Sequence, residues 1–121
     1  MKKKILVVDD EESVRQVVSF TLEQAGYETE SSADGDDCLE KVYSFRPDLI
    51  LLDLMMPLVD GWEVLRLLRS NPETADIPVV ILTAKGEIYD KMFALQQGAA
   101  DYITKPFGKR ELLERVSAIA K

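Results

Sequence analysis

Hydrophobic residues along the chain fall into two patterns. Ile5-Leu6-Val7-Val8, Leu49-Ile50-Leu51-Leu52 and Val79-Val80-Ile81-Leu82 are continuous apolar runs without polar alternation. Such runs predict strands covered on both faces, the habit of parallel sheets. Two weaker strands fit around Tyr27–Ser31 and Asp101–Thr104. The segments between them repeat with helical period. Val14, Val17, Val18, Leu22 and Ala25 form one stripe, stopped by Gly26, and Cys38, Leu39, Val42 and Tyr43 form a second, closed by Pro47. Trp62, Leu65 and Leu68, flanked by Val64 and Leu67, make a third that ends near Asn71-Pro72. Ile88, Met92 and Leu95 predict a fourth ending at Gly98, and Leu112, Leu113, Val116, Ile119 and Ala120 a fifth.

Strand and helix therefore alternate five times, which predicts an α/β domain: an open parallel sheet with helices on both faces. Right-handed crossovers leave few windings, and a flavodoxin-like, doubly wound order 2-1-3-4-5 is expected. Ligands in such a fold bind beyond the carboxyl ends of the strands. With 121 residues and no internal repeat or linker, the chain reads as one domain.

The residues that follow each buried strand carry the chemistry. Asp9 and Asp10 follow the first, Asp53 the third and Thr83 the fourth, while Lys105 and Pro106 follow the fifth. Each has an ordinary explanation. Asp10 could cap a helix starting near Glu11, Asp53 could sit in a turn before Pro57, Thr83 could end a strand, and Lys105 could be solvated. Capping alone does not account for a convergent polar set at every one of these strand ends. Three carboxylates held together repel, by about 4 kcal/mol for a pair ~4 Å apart at an intermediate dielectric. One ammonium leaves an excess that a divalent ion would neutralise. Oxygen ligands without His or Cys point to a hard cation, Mg²⁺. Mg²⁺ that keeps open positions suits phosphate chemistry, with Asp53 as nucleophile and Thr83 and Lys105 engaging the oxygens of the arriving group.

Composition narrows the field further. The chain has no histidine, which removes Ser-His-Asp and Cys-His hydrolysis and His-ligated zinc. Its net charge of −7 argues against direct nucleic-acid or anionic-membrane binding. The single cysteine, Cys38, cannot form an internal disulfide, and its helical stripe marks it as a buried small hydrophobe. Lys2, Lys3 and Lys4 before Ile5–Val8 look like the start of a signal peptide, but Asp9-Asp10-Glu11-Glu12 arrives too soon. A cytoplasmic location is expected.

These residues match a family. ILVVDDE (5–11), DLILLDLMMPLVDGWEVL (48–65), IPVVILTA (77–84) and GAADYITKPF (98–107) resemble the receiver domain of bacterial two-component response regulators, a CheY-like fold, over essentially the whole chain. The resemblance implies that residues 1–121 are a receiver with no output domain. It implies that Asp53 accepts a phosphoryl group, that Asp10 ligates Mg²⁺ directly and that Asp9 acts mainly through water. The backbone carbonyl of Met55 completes the ligand set. Thr83 is then the switch hydroxyl, Lys105 contacts the phosphoryl group, Pro106 follows a cis peptide, and Tyr102 is the switch aromatic. Met55 and Lys85 stand at positions that tune phosphate lifetime in the family.

The implied partners are a sensor histidine kinase or phosphotransfer protein, and a downstream protein or output domain. The domain would catalyse only its own phosphorylation and dephosphorylation, and it would signal through the face of the fourth helix, fifth strand and fifth helix. Lys91, Asp101, Glu111 and Arg115 lie on that face, where receivers of winged-helix transcriptional regulators pair through charges. A phosphorylation-dependent homodimer is implied, and solvated surface charges of small net energy are the alternative. Ala100 and Ser117 stand where that subfamily carries further charged partners. Two rival functions fit less well. A Mg²⁺-dependent aspartyl-phosphate phosphatase needs a second carboxylate two residues after the nucleophile, where this chain has Met55. A nucleotide or flavin module needs a glycine- or hydroxyl-rich phosphate loop where Asp9–Glu12 stand.

Overall fold

The computed structural model describes residues 2–56, 59–84 and 91–120. Five strands, β1 (Lys4–Val8), β2 (Glu28–Ser32), β3 (Leu49–Asp53), β4 (Val79–Ala84) and β5 (Asp101–Lys105), form one parallel sheet in the order β2-β1-β3-β4-β5. This is the 2-1-3-4-5 winding expected from the sequence. The helices are α1 (Glu12–Gln24), α2 (Gly35–Phe45), α3 (Gly61–Ser70), α4 (Lys91–Gln96) and α5 (Lys109–Ile119). A two-residue antiparallel pair, Met55–Met56 with Val59–Asp60, links β3 to α3. No helix among the described residues is long and apolar enough to cross a membrane.

Alternation along each strand sorts the core into two layers. Ile5, Val7, Leu49, Leu51, Val80, Leu82 and Ile103 pack against Val18 and Leu22 of α1 and Leu112 and Val116 of α5. Leu6, Val8, Ile50, Leu52, Val79 and Ile81 face Cys38 and Val42 of α2, Val64, Leu65 and Leu68 of α3 and Ala94 of α4. The continuous apolar runs are needed because β1, β3 and β4 are buried on both sides. At the outer edge of the sheet, β2 alternates exposed and half-buried residues until Ser32, which explains its weak signal.

The second strand begins at Glu28 rather than Tyr27. The Tyr27 N–H donates to the Leu22 carbonyl at 3.1 Å and the Gly26 N–H to Glu23 at 3.0 Å, a Schellman closure of α1. Gly26 has φ +100°, which a side chain would make costly. Ala99 and Gly98 close α4 with the same pair of bonds, to Ala94 and Leu95.

Three helical stripes are corrected. Val17 on α1 and Met92 on α4 are each 64% exposed, and Leu95 and Tyr43 are also exposed. On α4 it is small Ala94 that is buried, while Phe93 meets Trp62 of α3 edge-to-face at 5.0 Å. Ile88 lies outside the described residues.

Cys38 is fully buried, and that burial, followed by the charges of Asp37 and Asp34, pushes its thiol up to about 12. The folded chain holds this proton more tightly than the unfolded one. The contribution to stability is therefore complete below pH 9 and is lost as pH rises toward 12. A thiol reagent at pH 8 is expected to leave native Cys38 unmodified and to label it promptly in urea; prompt labelling of the native protein would contradict its burial.

Candidate functional site

The alternation that sorts the core also sorts the polar strand ends. Asp9, Asp53 and Lys105 continue the face of Ile5 and Val7, of Leu49 and Leu51, and of Ile103. Thr83 continues the opposite face, after Val79 and Ile81. Neighbouring strands bring these ends together, with Asp53 level with Leu82 and Thr83 level with Thr104.

One carboxylate oxygen from each of Asp9, Asp10 and Asp53 lies within 4.8 Å of the others. Asp9 is wholly buried, Asp53 is 3% exposed and Asp10 is half-buried. Lys105 Nζ donates to Asp9 Oδ2 at 2.7 Å and lies 3.6 Å from Asp53 Oδ2. Burial alone would lower the lysine's pKa. The hydrogen bond to Asp9, with the charges of Asp53, Asp9 and Glu11, outweighs that and holds it above the ordinary value. The Lys105–Pro106 peptide bond is cis.

Thr83 is fully buried, and its hydroxyl has no hydrogen-bond partner among the described residues. A buried orphan hydroxyl is costly unless something else occupies it. Together with three carboxylate oxygens and an ammonium, it suits a hard cation and an anionic oxygen group.

Asp10 is not the helix cap. Glu11 occupies the N-cap position of α1 without a side-chain cap bond, and it is Asp9 Oδ1 that accepts from the Glu11 N–H, at 3.0 Å. The Asp10 carboxylate is thereby left for the cluster. Met55 sits in the short strand after Asp53, so its backbone is beside the site while its side chain is outside the description. Tyr102 is half-buried against the layer that Thr83 continues, beside α4. Arg115 pairs with Asp101 at 2.8 Å and approaches Glu111 at 3.7 Å, so these charges are linked within one chain, and Asp101 is largely buried. Lys85 and the side chain of Lys91 lie outside the described residues.

Two contributors carried no role in the sequence. Gly61 begins α3, and a Cβ there would meet Leu54 Cα at 2.6 Å and the Asp53 carbonyl at 3.0 Å. The helix can pass this close to the Asp53 backbone only without a side chain, and the Asp60-Gly61 pair before an apolar helix was the available signal. Arg15 is the other. Its Nη1 donates to the Asp9 carbonyl at 2.7 Å, a contact with no signature in the pattern. A groove of about 500 Å³ beside the site is lined by Val14, Val17 and Val18 of α1 with Lys105, Pro106 and Phe107.

A family model of the response regulator receiver domain matches residues 5–117. The chain is 47% identical over its whole length to the alkaline phosphatase synthesis transcriptional regulatory protein PhoP of Bacillus subtilis, and 45% identical to the phosphate regulon transcriptional regulatory protein PhoB of Klebsiella pneumoniae. It covers 50% and 53% of those proteins, so it spans about half the length of the curated relatives it matches. Among solved structures, a response regulator from Chloroflexus aurantiacus aligns with TM-score 0.92 and 35% identity, covering 99% of this chain and 98% of that one. Chemotaxis response regulator CheY4 of Vibrio cholerae aligns with TM-score 0.90 and 35% identity, covering 98% and 99%. Receiver domains are regulatory domains that generally bind Mg²⁺ at an acidic pocket and interact with histidine kinases and output domains. With the sheet order, the carboxylate cluster and the matched residues all agreeing, the chain belongs to the response regulator receiver domains of two-component systems.

Proposed function

We propose that Asp53 accepts a phosphoryl group from the phosphohistidine of a sensor histidine kinase or phosphotransfer protein, in the cytoplasm. The observation that carries this reading is the cluster of Asp9, Asp10 and Asp53 around Lys105, next to the Thr83 hydroxyl, which has no hydrogen-bond partner among the described residues. Asp10, Asp53 and the Met55 carbonyl would hold Mg²⁺, with Asp9 acting through water. When bound, the ion offsets the excess negative charge and polarises phosphoryl oxygens. An oxygen of Asp53 forms the new P–O bond as the P–N bond of the donor breaks, and the leaving imidazole is neutralised by a proton from solvent. Lys105 moves from its carboxylate partners to a phosphoryl oxygen, and the Thr83 hydroxyl donates to another. The apolar groove beside Lys105 gives a docked donor domain surface to cover.

The phosphoryl group then biases a two-state equilibrium. Thr83 drawn toward the phosphate vacates space on the side where Tyr102 packs, and the α4–β5–α5 face changes for a downstream protein or an output domain. Since the two relatives named are transcriptional regulators, control of transcription is the output we propose where such a domain is attached. Pairing of two phosphorylated copies would have to extend the Asp101–Arg115–Glu111 network across a second chain. Sedimentation with and without beryllofluoride separates that dimer from an unchanged monomer.

Radiolabel from a phosphorylated histidine phosphotransfer domain is expected to pass to the parent protein in Mg²⁺. None should pass to Asp53→Asn. Equal labelling of that variant would place the acceptor elsewhere.

A further inference from the structure

We infer that Arg15 is a positioning residue for the metal site, acting through the peptide between Asp9 and Asp10; the inference rests on the Mg²⁺ reading above. Arg15 lies in the first turns of α1, half-buried, in a stretch that opens with Asp9, Asp10, Glu11 and Glu12. Among the described residues it forms no ion pair with any of these acids. Its Nη1 donates instead to the Asp9 carbonyl, at 2.7 Å.

The geometry makes that carbonyl consequential. Carbonyl and following N–H lie in one plane and point opposite ways, so fixing the Asp9 C=O fixes the plane from which Asp10 departs. Asp9 is held from every other direction: its N–H donates to the Ser32 carbonyl at 3.1 Å, Oδ1 accepts from Glu11, and Oδ2 accepts from Lys105. The Asp10 carboxylate has no hydrogen bond or ion pair among the described residues. Its direction is therefore inherited from the backbone on either side. On the Asp9 side, Arg15 is the side chain that holds that backbone. Outer groups that orient metal ligands typically set metal affinity by tenfold or more.

Charge alone predicts the opposite sign. Removing a cation close to a dication site strengthens metal binding, whereas removing the group that aims Asp10 weakens it. Calorimetric titration of Mg²⁺ into the parent, Arg15→Ala and Arg15→Lys separates the two. We expect affinity roughly tenfold weaker in Arg15→Ala and largely recovered in Arg15→Lys, which keeps a donor and the charge. The Asp10 amide resonance of metal-free Arg15→Ala should also shift, a readout that stands without any ion. Unchanged or tighter Mg²⁺ binding in Arg15→Ala, or an unmoved Asp10 amide, would overturn the role. Arg15→Lys no better than Arg15→Ala would do the same. A parent that binds no Mg²⁺ would instead overturn the metal-site reading and this inference with it.

Discussion

Lys105→Met is expected to destabilise the metal-free protein by about 3 kcal/mol, the low end for breaking a buried ion pair. The ammonium is 2.7 Å from Asp9 and 3.6 Å from Asp53, and both carboxylates are almost completely shielded from water. Taking it away removes the ammonium that offsets these two adjacent buried carboxylates, and Asp10 adds a third charge of the same sign. The loss should be flat across neutral pH. Lys105 is held above its ordinary value of 10.5, so the stability it contributes is complete below that value and is lost only in more alkaline solution. Urea unfolding reads the effect. Asp9→Asn in the Lys105→Met background should recover part of the loss, because it removes one of the stranded charges while keeping an acceptor for the Glu11 N–H. A Lys105→Met protein as stable as its parent would mean that water or counterions already solvate the cluster.

Mg²⁺ is expected to stabilise the parent by about 2.7 kcal/mol when present at a hundredfold excess over its dissociation constant, since it binds the folded state alone. The physical source is the relief of repulsion among Asp9, Asp10 and Asp53, which the fold holds within 4.8 Å of one another by one oxygen each. Asp10→Asn should lose most of this stabilisation, because Asp10 is the most exposed of the three and has no competing hydrogen bond or ion pair among the described residues. Unfolding midpoints compared in Mg²⁺ and in chelator give the measurement. Identical midpoints for the parent in the two buffers would exclude a built cation site.

The order of elements and the winding of the sheet were legible because β1, β3 and β4 are buried on both faces and thus carry continuous apolar runs. The strand ends carrying Asp9, Asp53, Thr83 and Lys105 followed from that order, since a doubly wound sheet collects them at one edge. Helix faces were read less well. Val17, Met92 and Leu95 obey a helical period yet face outward, because apolar residues are common on protein surfaces and periodicity does not say which stripe faces the core. Ala94, the buried residue among the described side chains of α4, carries too little hydrophobicity to stand out. The start of β2 was displaced by one residue because Tyr27 spends its N–H closing α1. Contacts to backbone atoms, such as Arg15 on the Asp9 carbonyl and Gly61 against Leu54, depend on how elements cross and leave no periodic mark.

Intact mass after incubation with acetyl phosphate and Mg²⁺, with Asp53→Asn alongside, shows whether Asp53 is the metal-assisted acceptor. One added phosphoryl group is predicted for the parent in Mg²⁺, and none for the parent in chelator or for Asp53→Asn under any condition. An adduct of equal yield on Asp53→Asn, or one formed equally without Mg²⁺, would contradict a metal-assisted acceptor at Asp53.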